Sequence, residues 1–88
     1  MELKQLGFFL GVVESGSFSK AAVRLSVAQP ILSRQIKLLE EELGVELLYR
    51  NGRGVVPSEA GKMLQTYAHD IVNLVEQAQS EIGTLRSM

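Results

Sequence analysis

The sequence has no cysteine and a single histidine. The first absence excludes a disulfide framework, a thiolate metal site and a cysteine nucleophile. The second excludes a metal centre built on a cluster of imidazoles. No apolar run approaches the roughly 18 residues of a membrane span. The start, Met1-Glu2-Leu3-Lys4, lacks the basic stretch and apolar core of a secretion signal. No segment repeats, and none is of low complexity. Length is limited too: 88 residues allow one domain, or one domain with an appendage. Such a chain has little room for both a core and a shaped cleft. It offers neither a nucleophile–base pair nor a metal cluster, so neither an enzyme nor a bound cofactor is expected. A soluble, cytoplasmic protein is.

What is present is an ordinary globular composition, 45% hydrophobic and 22% charged, which argues against a wholly disordered chain. The formal net charge of −1 conceals an uneven distribution. Residues 17–37 carry Lys20, Arg24, Arg34 and Lys37 and no acid, whereas the segments on either side are net negative. A basic segment in a weakly acidic chain suits one face that meets an anionic surface. A chance cluster on a solvated helix would give the same count.

Periodicity divides the chain into helices and one hairpin. Leu3, Leu6, Leu10 and Val13 recur as one face of a first helix, stopped by Ser15-Gly16-Ser17. Ser17 caps a short second helix whose stripe is Phe18, Ala21, Ala22 and Leu25. After Ser26-Val27-Ala28, Gln29-Pro30 opens a third helix with the stripe Leu32, Ile36, Leu39 and Leu43, ended by Gly44. Two short apolar runs around Asn51-Gly52 predict a hairpin with Arg50 and Arg53 at its tip. Pro57 closes it, Ser58 caps the next helix, and helical periodicity then runs to Leu85.

The third helix carries chemistry on its polar side. Pro30, Ser33, Arg34, Lys37 and Glu41 centre opposite the apolar stripe, with Gln29 in the first turn, so the N-terminal half of that face offers Gln, Ser, Arg and Lys together. Arginine can pair bidentately with guanine and glutamine with adenine, while serine and lysine suit phosphate oxygens. The turn before this helix is short, so the second and third helices cross steeply, as in a helix-turn-helix. A basic hairpin beside such a helix reads as a wing, and arginine there can enter a minor groove. Domains of this geometry also serve as protein-interaction modules, which would place acid or apolar residues on the same helix face.

The run Ser17-Phe18-Ser19-Lys20-Ala21-Ala22, Leu25, Gln29-Pro30, Ser33-Arg34-Gln35-Ile36, Leu39-Glu40, Leu43-Gly44, Leu47-Leu48-Tyr49-Arg50, Arg53 and Ala60-Gly61 resembles the winged helix-turn-helix of the LysR-type transcriptional regulators. With the flanking helices the resemblance spans essentially the whole chain. It implies a mainly α fold: a winged helix-turn-helix head over residues 1–57 and a linker and dimerisation helix over 58–88. It also implies a bacterial regulator that binds double-stranded promoter DNA, at an interrupted palindrome, as a homodimer. Gln29, Pro30, Ser33 and Arg34 fall at the family's base-contacting positions. Ser17, Ser19 and Lys37 match backbone-contacting ones, and Arg50 and Arg53 the wing. A small-molecule inducer and tetramer formation belong, in the family, to a further domain. These residues would then be the DNA-binding part of a longer protein. Departures are few: Leu48 stands where Phe is usual, Pro57-Ser58 replaces Leu-Thr, and Ala28 replaces a frequent hydroxyl residue.

In the long helix, Ala60, Leu64, Tyr67, Ile71, Leu74, Ala78, Ile82 and Leu85 step by three and four, close to a coiled-coil seam. The head is too short to cover this stripe, so Leu64, Tyr67, Ile71, Leu74, Ala78 and Ile82 are expected to form a dimer interface. His69, Met63 and Glu40-Glu41-Glu42 are expected to be structural or solvated surface.

Overall fold

A computed structural model describes all 88 residues. Four helices and a hairpin follow in the order α1 (Leu3–Ser15), α2 (Phe18–Leu25), α3 (Gln29–Leu43), β1 (Leu48–Asn51), β2 (Gly54–Pro57) and α4 (Glu59–Arg86). Local chemistry sets the boundaries. Gly16 and Gly44 take the left-handed conformation that closes α1 and α3, where a Cβ would be strained. Ser17 Oγ accepts from Lys20 N at 3.2 Å to start α2. The α2–α3 turn uses a non-glycine in the same left-handed region: Ser26, at φ 57°. The next N–H, from Val27, reaches back to the Ala22 carbonyl at 3.0 Å, which closes the last turn of α2. Ala28 precedes α3 with no side-chain cap, and Pro30 sits in the first turn, where no N–H is needed.

α1 is the centre of the head, in contact with α2, α3, α4 and β2. This arrangement alters the expected α1 stripe. Leu6 and Leu10 are buried as expected, but Phe9 and Val12 are fully enclosed, while Leu3 is 44% exposed and Val13 half-buried. A helix surrounded on several sides buries more than one face, and the wider apolar set Leu6-Phe8-Phe9-Leu10-Val12 shows it. α2 and α3 bury the residues their periodicity marks, Phe18, Ala21 and Ala22, then Leu32, Ile36 and Leu39. Leu43, at the open end of α3, stays 41% exposed. One polar residue bridges the core: buried Gln5 accepts from Glu2 N at 3.0 Å and donates to Gln35 Oε1 at 3.2 Å.

The hairpin pairs β1 antiparallel to β2, with Tyr49 opposite Val56, Arg50 opposite Val55 and Asn51 opposite Gly54. Its turn is therefore Gly52-Arg53, one residue beyond the expected Asn51-Gly52 pair. Asn51 Oδ1 accepts from Arg53 N at 2.8 Å and stabilises the turn. The glycine that the turn requires is Gly54. Its φ is 143°, and a Cβ there would overlap the Gly16 carbonyl oxygen. The adjacent Val55 N donates to that same carbonyl at 2.9 Å, docking the hairpin on the α1–α2 turn. Gly52 has open space around it and no positive φ.

Glu40 is not solvated surface like its neighbours. One oxygen accepts from Leu47 N at 2.7 Å and Leu48 N at 3.3 Å, so it anchors the entry into β1. Glu41 is exposed, and Glu42 pairs with the Met1 ammonium at 2.6 Å.

Ser58 starts α4 as expected. Its Oγ accepts from Gly61 N at 3.0 Å and donates to the Glu46 carbonyl at 2.6 Å. The first half of α4 is part of the head: Leu64 and Ala68 belong to its core, with Ala60, Ile71 and Val72 packed alongside. Beyond Ala68 no residue is buried. A 28-residue helix is about 42 Å long, and the molecule measures 52 × 25 × 19 Å.

Candidate nucleic-acid interface

α2 and α3 share the α1 core and expose the opposite sides of both helices. Gln29, Pro30, Arg34 and Lys37 are exposed on α3, and Ser33 is half-buried. Ser19 and Gln29 meet across the turn, with Ser19 Oγ donating to Gln29 Oε1 at 3.2 Å. Ser19 thus fixes the first side chain of α3 as well as lying at a helix start. Ser17 Oγ is engaged as the α2 cap, which leaves its hydroxyl proton free to donate outward.

Two grooves flank this surface. One lies between the α1–α2 turn and the hairpin and brings together Ser17, Lys20, Asn51 and Arg53. The other lies between α2, α3 and β1 and brings together Phe18, Ser33, Lys37 and Arg50, with Glu40 and Glu46 also on its lining. Arg53 is in the hairpin turn. Arg50 is not at the tip: it is a mid-strand residue whose guanidinium stacks 4.3 Å above the Phe18 ring. That contact is a cation–π arrangement, and it holds Arg50 over the α2–α3 groove. Sequence spacing placed both arginines near one turn, but only the pairing register tells which one the strand turns towards the helices.

Lys20, Arg34, Lys37, Arg50 and Arg53 have no carboxylate within ion-pair distance, whereas Arg24 is engaged with Glu14 at 2.9 Å. Arg24 faces elsewhere, into a cluster that sequence reasoning missed: Glu14 at the end of α1 also lies 3.7 Å from His69 Nε2 on α4. The three residues come from three elements 10 to 55 positions apart, a proximity that no local spacing signals. Those five cations, together with Gln29 and Ser33, can pair with phosphate oxygens and hydrogen-bonding edges.

The residues expected at a dimer seam divide into two sets. Leu64 packs in the head core and also edges an outer apolar groove, and Ile71 is half-buried against the head. Tyr67, Leu74, Ala78 and Ile82 are exposed, with Met63 and Leu85 beside them. At about 100° per residue, Tyr67, Leu74 and Ala78 lie about 50° round the helix from Leu64 and Ile71, whereas Ile82 is in line with Leu64 but beyond the end of the head. Near the head, the outer set borders that wholly apolar groove, where Leu64 is joined by Leu43, Val45, Leu47, Met63 and Tyr67.

Fold and surface together define a winged helix-turn-helix head on a projecting helix. Residues 3–62 match the model of the lysR family of bacterial regulatory helix-turn-helix proteins, and the chain belongs to that family. It is 45% identical over 85 residues to the nitrogen assimilation regulatory protein nac of Klebsiella aerogenes, covering 97% of this chain and 28% of that protein. Identity to the transcriptional regulator BenM of Acinetobacter baylyi is 49% over 88 residues, covering 100% of this chain and 29% of BenM. The chain thus spans less than a third of the length of these relatives. The crystal structure of the BenM DNA-binding domain in complex with catB site 1 DNA superposes with a TM-score of 0.95 at 45% identity, over 100% of this chain and 99% of that one.

Proposed function

We propose that this chain binds double-stranded DNA sequence-specifically as the reading head of a bacterial transcription regulator. The single observation that carries this is the surface around α3: five cations without acid partners, set beside Gln29 and Ser33 on one helix-turn-helix and its wing. The crystallised DNA complex of the BenM domain, with the same fold, supports it.

α3 enters the major groove with its N-terminal half, where Gln29, Pro30, Ser33 and Arg34 meet base edges. Ser17 and Lys37 hold phosphates, joined by Lys20 from the groove under the wing. Ser19 orients Gln29 and adds a backbone contact of its own. Arg53 reaches the minor groove from the wing tip, while Arg50, stacked on Phe18, serves the flank of α3. The exposed apolar set on α4 pairs two copies, and a two-fold dimer reads an interrupted palindrome with half-sites one or more helical turns apart. An acting place in the cytoplasm, where bacterial DNA lies, follows from this reading. Inducer sensing and tetramer formation are proposals for a longer chain and enter none of these tests. The protein-interaction alternative requires acid or apolar residues where Arg34 and Lys37 stand.

Selection of binding sites from a random duplex library tests the reading directly. The expected outcome is an enriched interrupted palindrome whose affinity falls as salt rises. Arg34→Ala should weaken binding by about 1–3 kcal/mol and relax preference at one base pair per half-site. An equal loss on every sequence would assign Arg34 to the phosphates instead, and sequence-blind weak binding by the unaltered chain would defeat the reading.

A further inference from the structure

Ile31 is a large apolar side chain that neither the core nor the polar strip of α3 accounts for. It lies in the first turn of α3, its N–H donating to the Ala28 carbonyl at 3.1 Å, and it is 53% exposed. At about 100° per residue it sits about 60° round the helix from Arg34. Leu38, also exposed, follows two turns later on the same flank. Between them Gln35 is half-buried, and its side-chain oxygen accepts from Gln5 Nε2 at 3.2 Å. The polar group of this flank is therefore held by the fold. The exposed side of α3 consists of two strips: a polar one through Pro30, Arg34 and Lys37, and an apolar one from Ile31 to Leu38.

A helix that enters the major groove presses its first turn against base edges. Those edges are hydrogen-bond donors and acceptors, with one apolar feature, the 5-methyl group of thymine. An isoleucine pressed on a donor or acceptor strips away water and returns no hydrogen bond. Pressed on a methyl, it buries carbon against carbon at no polar cost. We propose that Ile31 is a specificity-determining residue that reads a thymine methyl, so that each half-site carries a thymine beside the base pair read by Arg34. This rests on the DNA-binding reading above and deepens it.

The test uses the 88-residue chain and its Ile31→Ser variant on the selected duplex. Thymines of one half-site are replaced one at a time by deoxyuridine, which deletes the methyl and leaves base pairing intact. At one thymine, replacement should lower the affinity of the unaltered chain about fourfold, the effect of exposing one buried carbon. The Ile31→Ser variant should be indifferent to the same replacement. The proposal is overturned by indifference of the unaltered chain at every thymine. It is equally overturned if the variant retains the full loss, which would leave the apolar strip to a protein surface. Failure of the DNA-binding reading looks different: the unaltered chain then enriches no sequence, and the Ile31 assignment falls with it. Thermal melting of the variant, expected unchanged because Ile31 lies outside the core, separates a lost contact from a lost fold.

Discussion

The head and the outer half of α4 solve the problem of apolar surface in opposite ways. In the head, sixteen hydrophobic residues form one core, and Phe9, Leu32 and Leu39 are wholly enclosed. Along the outer half of α4, Leu74, Ile82 and Leu85 are each more than 60% exposed, and no residue after Ala68 is buried. The two regions are joined through one continuous helix, α4, and both are rich in apolar residues. Geometry separates them: the head folds back on itself around α1, whereas the helix runs past the end of everything that could cover it. A region that completes its own core is expected to tolerate isolation. A projecting apolar stripe needs a second body, which is the physical basis for assigning it to pairing.

Five substitutions, in three experiments, test that division. Phe9→Ala, at the fully enclosed centre of α1, should destabilise the head by about 3–5 kcal/mol, read as the urea midpoint. A loss below 1 kcal/mol would mean that the head is not one packed core. Next in size is the contrast between two hairpin glycines. Gly54→Ala forces a Cβ into the Gly16 carbonyl from an unfavourable φ and should cost about 1–3 kcal/mol, with detachment of the wing visible in amide exchange at Val55. Gly52→Ala should change stability by less than about 0.5 kcal/mol. Equal effects would contradict the placement of the turn at Gly52-Arg53. The smallest effect on the head is expected from Leu74→Glu combined with Ile82→Glu, within about 0.5 kcal/mol of the parent for these surface positions. Sedimentation should nevertheless show monomers where the parent chain forms dimers. Persisting dimers would relocate the interface away from the outer stripe.

Much of this was legible in the residues. Gly16, Gly44, Ser17, Ser58 and Pro30 mark helix ends because each answers a local need for a left-handed residue, a capping oxygen or a missing N–H. α2 and α3 each pack one face, so a single stripe describes their burial. The failures have a common cause: a one-dimensional pattern shows which residues are apolar or charged, not which body they meet. The long-helix stripe runs through Leu64, which is buried in the head and edges the outer groove, and Tyr67 and Leu74, which are exposed, because adjacent faces of one helix overlap in periodicity. α1 read as one stripe although Phe9 and Val12 face further neighbours. Glu40 resembled Glu41 and Glu42 until the chain returned to place Leu47 and Leu48 against it. The Arg50–Phe18 stack joins residues 32 positions apart. At the candidate interface the residue types were readable on α3, which is local. The division of labour between Arg50 and Arg53 depended on strand register, which is not.

Helix α4 is unbroken from the core residues Leu64 and Ala68 to the exposed Ile82 and Leu85. Any change of its length between these points is therefore felt as rotation as well as distance. One inserted residue would carry the far stripe forward by about 1.5 Å and swing it by about 100°. Seven inserted residues would advance it by about 10 Å yet leave it only about 20° out of phase. Eleven inserted residues would hold the phase equally well, so only particular lengths keep the far stripe in line with the head, a gearing imposed by the helix itself.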